Sequence, residues 1–276
     1  MLNKFNLMFW DDDMPEIRVN GVNIYYEISG QGPALVLLHG WAENHNFWKF
    51  QIPDFSKDYK VVAIDLRGHG ESDKPKAEYS IQKFADDLYH VLNGLGIDRA
   101  IIAGHSMGGM TALVFCLAHP EKVKALILVN TTSAGIHEAG IISPKEILEI
   151  IRTSGFENVV KQFFAQTFFA SGTSGDLINW AKSEVLKTPQ YVVEEALKAI
   201  MEHAVTRKLS KITVPTLIIH STEDLAIGVK MAEIMNERIP NSRLKIVEGA
   251  GHHTMLEKPD EFKNTVLDFL RKLQNV

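Results

Sequence analysis

The sequence predicts an α/β protein: a doubly wound, mostly parallel eight-stranded sheet with an inserted helical cap. Three observations predict it. Short continuous apolar runs recur along the chain, as parallel strands covered on both faces require, and helical patterns separate most of them. That rhythm stops between about Ala134 and Lys211, where only helical patterns occur. Gly104-His105-Ser106-Met107-Gly108 joins a strand-like run, Arg99 to Ala103, to a helix-like run, Met110 to Phe115.

The elements follow in order. Residues 1–15 read as an N-terminal extension: Met1 to Trp10 is broken by polar residues, three aspartates follow, and no signal-peptide cleavage site is present. Ile17 to Val19 and Val22 to Ile28 alternate around Asn20-Gly21, a hairpin signal. The buried-strand runs are Ala34 to Leu38, Val61 to Ile64, Ala100 to Ala103, Ala125 to Val129, Thr216 to Ile219 and Leu244 to Val247. Ile81 to Leu92 and Met231 to Arg238 read as helices between them. These assign 16–133 and 212–276 to one core, interrupted by a cap at 134–211. Within the cap, helices are expected over Pro144 to Arg152, Phe156 to Phe169, Leu177 to Leu186 and Val192 to Val205, with Ser171 to Gly175 as a hinge.

The 276 residues suffice for one large core plus an insertion. Composition is ordinary for a globular protein, with 45% hydrophobic and 23% charged residues. A net charge of −5 gives no electrostatic case for nucleic acid. No run is long enough for a membrane span, so no membrane partner is expected. The single cysteine, Cys116, lies in an apolar helical run and reads as a core residue. A cytoplasmic location fits these features. The 11 histidines come without a H-E-x-x-H or Cys/His ligand pattern, so no metal is expected. G-x-G-x-x-G and P-loop motifs are also missing, so no cofactor is expected.

G-x-S-x-G in a sharp strand-to-helix turn holds a serine hydroxyl clear of the surface and leaves the next N–H free for an oxyanion. A nucleophilic serine needs a base and an orienting acid. The strand Val214 to His220 ends in Ser221-Thr222-Glu223-Asp224, and the strand Arg243 to Val247 ends in Glu248-Gly249-Ala250-Gly251-His252-His253. Both turns fall on the sheet edge that carries Ser106. The assignment is Ser106, Asp224 and His252. His252 is preferred to His253 because Gly-Ala-Gly makes a tight turn that aims its ring into the site. Asp224 is preferred to Glu223 for its shorter reach, one residue further past the strand.

With these residues in place, the chain from about Glu16 to its end resembles the α/β-hydrolase fold family, on its serine esterase and lactonase side. The likeness rests on His39-Gly40-Trp41, on Asp65-Leu66-Arg67-Gly68-His69-Gly70-Glu71-Ser72, on the elbow, on the acid turn and on Gly-Ala-Gly-His-His. Haloalkane dehalogenases and epoxide hydrolases carry an aspartate at the elbow, and serine here argues against both. The chain departs from the family at His220, where members often have glycine, and at Gly228, where they often have proline. Asn130, at the alternative acid position, cannot serve as a carboxylate.

The resemblance implies a carboxylic ester hydrolase acting on a small-molecule ester or lactone with water. The oxyanion would be held by the backbone N–H groups of Met107 and Trp41. Substrate-pocket candidates are His39, His105, Phe163, Phe164, Phe168 and Trp180, although His39 also reads as an anchor of its loop. Asp65, Arg67 and His69 read as a structural brace. The apolar cap faces either seal the site or pair with a second subunit as a homodimer. Three classes stay open: ester hydrolysis, carbon–carbon hydrolysis or perhydrolysis by the same triad, and a small-molecule receptor without turnover.

Overall fold

Asn20-Gly21 makes the first turn. Both residues have positive φ, 47° and 79°, as a two-residue hairpin between twisted strands demands. The turn joins β1 (Glu16–Val19) to β2 (Val22–Ser29) antiparallel, with Val19 opposite Val22. This computed structural model describes residues 15–135 and 143–274; residues 1–14 of the expected extension lie outside them.

The remaining strands are β3 (Ala34–Leu38), β4 (Lys60–Ile64), β5 (Ala100–His105), β6 (Val123–Val129), β7 (Thr216–Ser221) and β8 (Ser242–Val247). They form one eight-stranded sheet in the order β1-β2-β4-β3-β5-β6-β7-β8. From β4 to β8 every pairing is parallel. The expected fold class is therefore the observed one. Successive side chains of a strand alternate between faces, which divides the core in two. Val36 and Leu38 pack on one face, and Leu35 and Leu37 on the other.

The core helices before the cap are α1 (Ile52–Phe55), α2 (Ile81–Gly94) and α3 (Met107–Ala118). In α2, Ile81, Phe84, Leu88, Val91 and Leu92 fall on one buried stripe, and the Ser80 hydroxyl caps the N-terminus by accepting from the Lys83 N–H. α3 is buried nearly all round, Cys116 included, and burial pushes that thiol up to about 12.

The cap contains α4 (Pro144–Ser154), α5 (Phe156–Val159), a π-helical turn at Val160–Phe164, α6 (Ala165–Phe168), α7 (Gly175–Val185) and α8 (Gln190–Glu202). Three expectations need correction here. The helix foreseen over Phe156 to Phe169 is interrupted by the π turn, and it stops where Phe169 turns extended. The helix foreseen to Val205 stops at Glu202 because Ala204 bridges Ala134, and a bridge needs extended backbone. The expected hinge at 171–175 is tied down: the Glu257 carboxylate accepts from the Ala170 N–H and the Thr173 hydroxyl. Beyond the cap come α9 (Val229–Arg238), α10 (Thr254–Glu257) and α11 (Pro259–Gln274). No helix among the described residues is long and apolar enough to cross a membrane.

The carboxyl ends of β3, β5, β7 and β8 open on one edge, and the β5–α3 turn is the tightest feature there. Ser106 has φ 49° and ψ −114°, a conformation costly for any residue with a side chain. A Cβ on Gly104 would stand 2.3 Å from the Gly108 carbonyl oxygen, and one on Gly108 would stand 2.4 Å from that of Leu38. The motif glycines are thus a packing requirement between β3, β5 and α3. Gly108→Ala should cost about 2–3 kcal/mol, as overpacking against rigid backbone does. Urea unfolding measures it, and a loss below about 0.5 kcal/mol would contradict the packing argument.

Candidate active site

Asp224 leaves the end of β7 and His252 the loop after β8. The Asp224 Oδ2 atom lies 2.8 Å from His252 Nδ1. Its other oxygen accepts from the N–H groups of Ala226 and Ile227, each at 2.9 Å, so the carboxylate is gripped by its own turn. Burial opposes its charge, but the His252 ring and these bonds outweigh that and hold the carboxyl down at about 2. His252 is lowered as well, but by burial, and the Asp224 charge offsets only part of that. With Nδ1 facing the carboxylate, Nε2 is the nitrogen left to act as a base.

Ser106 sits at the elbow, its N–H bonded to the Val129 carbonyl and its own carbonyl accepting from the Thr131 hydroxyl. Ser106 and His252 line the same cavity, of about 480 Å³ including space open to solvent. Met107 opens α3, where a helix leaves its first N–H groups without intrahelical acceptors. The Trp41 ring is fixed from the cap, its Nε1 donating to the Val193 carbonyl. Glu223, the rival acid, is exposed, with its carboxylate toward the Ser171 N–H. His253, the rival base, points away to Glu43.

Two residues here escaped the sequence reading. Asn130, dismissed as an acid, donates from Nδ2 to Asp224 Oδ2 at 2.9 Å and accepts from the Thr254 hydroxyl. It braces the carboxylate it cannot replace. Glu43 is the larger omission. Its carboxylate is buried and accepts from the Gly40 N–H at 2.7 Å, with His105 Nδ1 and His253 Nε2 each at 3.0 Å. Burial works against its charge, but His105 and His253 prevail and hold it well below the usual range. His105 is raised in return: burial lowers it, and the Glu43 charge more than reverses that. The far nitrogen of His105 faces the His252 carbonyl at 2.9 Å. The one available signal was a charged residue three positions after Gly40, in a loop leaving a buried strand.

Glu43, His105 and His253 also form a group that brings three metal-type ligand atoms within 4.8 Å. Every one of those ring nitrogens already faces a carboxylate or carbonyl oxygen within the protein.

The pocket expectations divide. Phe168 lines the cavity, and Phe164 lines a small adjoining space beside Ser106 and His253. His39, His105, Phe163 and Trp180 do not line the walls of either. The His39 Nδ1–H donates to the Gly40 carbonyl and Nε2 accepts from the Leu66 N–H, which makes it the anchor of its loop. His105 is committed to Glu43. Trp180 packs on Phe47 with the Lys49 ammonium over its ring, so it stacks the cap on the core. Phe163 packs into the apolar core beneath the cap. The walls come instead from Trp41, Pro144, Ile147, Leu197, Ile200 and Ile227. Asp65, Arg67 and His69 form a brace: Asp65 accepts from the His45 and Glu71 N–H groups, Arg67 pairs with Asp87, and His69 bonds the Arg67 carbonyl.

The sequence profile of the alpha/beta hydrolase fold matches residues 33–259. Human epoxide hydrolase 4 is 28% identical, over 93% of this chain and 78% of that protein. An esterase from Exiguobacterium antarcticum is 29% identical with a TM-score of 0.86, over 92% of this chain and 97% of that one. The enol-lactonase from Burkholderia xenovorans LB400 is 26% identical with a TM-score of 0.84, over 93% and 100%.

Two outcomes follow from this electrostatic arrangement. His69, lowered to about 3, His203, lowered to about 4, and His252, also lowered, are kept neutral by burial. An unfolded chain protonates them near 6.5 and the folded one resists, so their contribution is present above pH 6.5 and is lost as pH falls toward 4 and 3. His105 opposes them, since its raised pKa stabilises below 6.5 and that gain is lost as pH rises through the folded value. Burial lowers His39 as well, and against burial the Asp65 carboxylate raises His45 as Glu43 raises His105. With four groups against two, Tm should fall steadily from pH 6.5 to 4, and a flat Tm there would contradict the burial argument. Glu43→Ala, which strands two histidines, should cost about 3–5 kcal/mol in urea unfolding.

Proposed function

The chain belongs to the alpha/beta hydrolase fold family, and from that premise we propose that it hydrolyses carboxylic esters or lactones of small to medium acyl groups through Ser106. The observation that carries this reading is the 2.8 Å Asp224–His252 contact, with Ser106 on the wall of the same cavity. In this mechanism His252 Nε2 takes the proton as Ser106 Oγ attacks the carbonyl carbon, and Asp224 holds the tautomer and stabilises the imidazolium. The oxyanion accepts from the N–H groups of Met107 and Trp41, each donor worth about 3–4 kcal/mol in the transition state. The Gly40 N–H is committed to Glu43, which leaves the Trp41 N–H as the donor from that loop. Collapse expels the alkoxide, which takes the proton from His252. Water then repeats the cycle on the acyl-enzyme, with His252 again as base.

The similarity to an epoxide hydrolase suggests a rival chemistry, and a serine at the elbow argues against it. A carboxylate that opens an epoxide forms an ester, which water can cleave at its carbonyl. A serine would form an ether with no carbonyl to attack, and the enzyme would stall. Serine suits acyl transfer, and the likeness to an esterase and an enol-lactonase supports that side.

The test is hydrolysis of p-nitrophenyl acetate, butyrate and octanoate by wild type and Ser106→Ala. Wild-type turnover should reach roughly 1–1000 per second on the preferred chain length. The variant should lose at least about 10⁴-fold with its circular dichroism unchanged. Undiminished activity in Ser106→Ala would overturn the assignment. Folded wild type that ignores esters but cleaves vinylogous diketones would move it to carbon–carbon hydrolysis.

A further inference from the structure

Threonines inside helices normally satisfy their hydroxyl by bonding back to the carbonyl four residues earlier. Thr111 does so to Met107, Thr153 to Glu149 and Thr265 to Glu261. Thr167 in α6 is the exception: it is buried, and its hydroxyl has no hydrogen-bond partner. The π turn at Val160–Phe164 directly precedes it and alters the run of carbonyls beneath it. An unpaired buried hydroxyl is costly to keep, and this one belongs to a residue lining the cavity that Ser106 and His252 share.

The rest of that wall offers little else that is polar. Pro144, Ile147, Leu197, Ile200, Ala226 and Ile227 are apolar, and the Trp41 Nε1–H is already used by the Val193 carbonyl. No lysine or arginine lines the cavity among the described residues, and the sequence of 136–142 contains neither. Among the described residues the wall offers a substrate carboxylate no lysine or arginine, and Thr167 is the one wall residue whose buried hydroxyl has no partner.

Resting on the ester-hydrolase reading above, we propose that Thr167 determines specificity by bonding a single uncharged oxygen substituent (hydroxyl, keto or ether) of an otherwise apolar ester or lactone. A hydroxyl both donates and accepts, so it serves any of the three. Sites built around a buried polar group reject the analogue that lacks its partner more strongly than apolar pockets reject a change in size.

The experiment is pH-stat hydrolysis of methyl butyrate against methyl 2-hydroxybutyrate, methyl 3-hydroxybutyrate, methyl 3-oxobutyrate and 2-methoxyethyl butyrate. Wild type should favour one oxygenated ester in kcat/KM. Thr167→Val, nearly the same shape, should cut that preference at least about fivefold, the weight of one hydrogen bond, and Thr167→Ser should retain it. Thr167→Val should also leave Tm unchanged or higher, because no bond within the protein is lost; a hydroxyl with a structural role would lower it. Turnover of methyl butyrate with no oxygenated preference, or a preference that survives Thr167→Val, overturns the inference while the ester reading stands. Failure on every ester, methyl butyrate included, overturns the ester reading and this inference with it.

Discussion

The carboxylate of Glu43 joins three loops that the chain delivers to the active edge from separate strands. It accepts from Gly40 after β3, meets His105 at the end of β5, and meets His253 after β8. A buried charge is tolerable only when its neighbours meet it with protons, so each loop has a single position that satisfies it. The consequences reach the chemistry. Gly40 precedes Trp41, the loop's proposed oxyanion donor. His105 precedes Ser106, and its outer nitrogen faces the carbonyl of His252. Ser106, Trp41 and His252, the proposed nucleophile, donor and base, are thus registered against one buried carboxylate.

A second constraint is strain. Ser106 is held at φ 49° between β5 and α3, and the glycines beside it admit backbone at distances no side chain would allow. That conformation survives because the surroundings determine it fully: the Ser106 N–H and carbonyl are both bonded, and α3 is buried along its length. The cap completes the site from outside. It leaves and rejoins the core at adjacent points, where Ala134 bridges Ala204 and the Val205 N–H bonds the Ser133 carbonyl. Its apolar walls reduce the water around His252, which strengthens the Asp224 contact and keeps the ring neutral.

Much of this was legible in the chain. Parallel strands buried on both faces need unbroken apolar runs, so β3 through β7 could be read to within two residues at each end. Asn20-Gly21 announced its hairpin because few other pairs accept positive φ twice. The meeting of Asp224 with His252 followed from two polar turns that both leave strand carboxyl ends. The cap was read less well. Its helix ends depend on partners far away in sequence: Ala204 turns extended for Ala134, and Glu257 holds the segment that looked like a hinge. Of the aromatic residues marked for the pocket, Phe164 and Phe168 line it, whereas Phe163 and Trp180 pack elsewhere. Periodicity tells that Phe163 and Trp180 face something apolar, and it does not distinguish a cavity from a core.

The sequence by itself determined the order of elements, the sheet edge that bears the site, and the elbow serine, because each rests on local backbone demands that a few neighbouring residues express. Tertiary structure alone decided which polar side chains act together. Glu43, His105 and His253 are separated by up to 210 positions and carry no mutual spacing rule, and Asn130 finds Asp224 only when β6 lies beside β7. Thr167 looks like any helical threonine until the π turn and the cavity wall leave its hydroxyl without a partner. Burial and hydrogen-bond satisfaction are properties of the packed chain, and they select among candidates that look alike in one dimension.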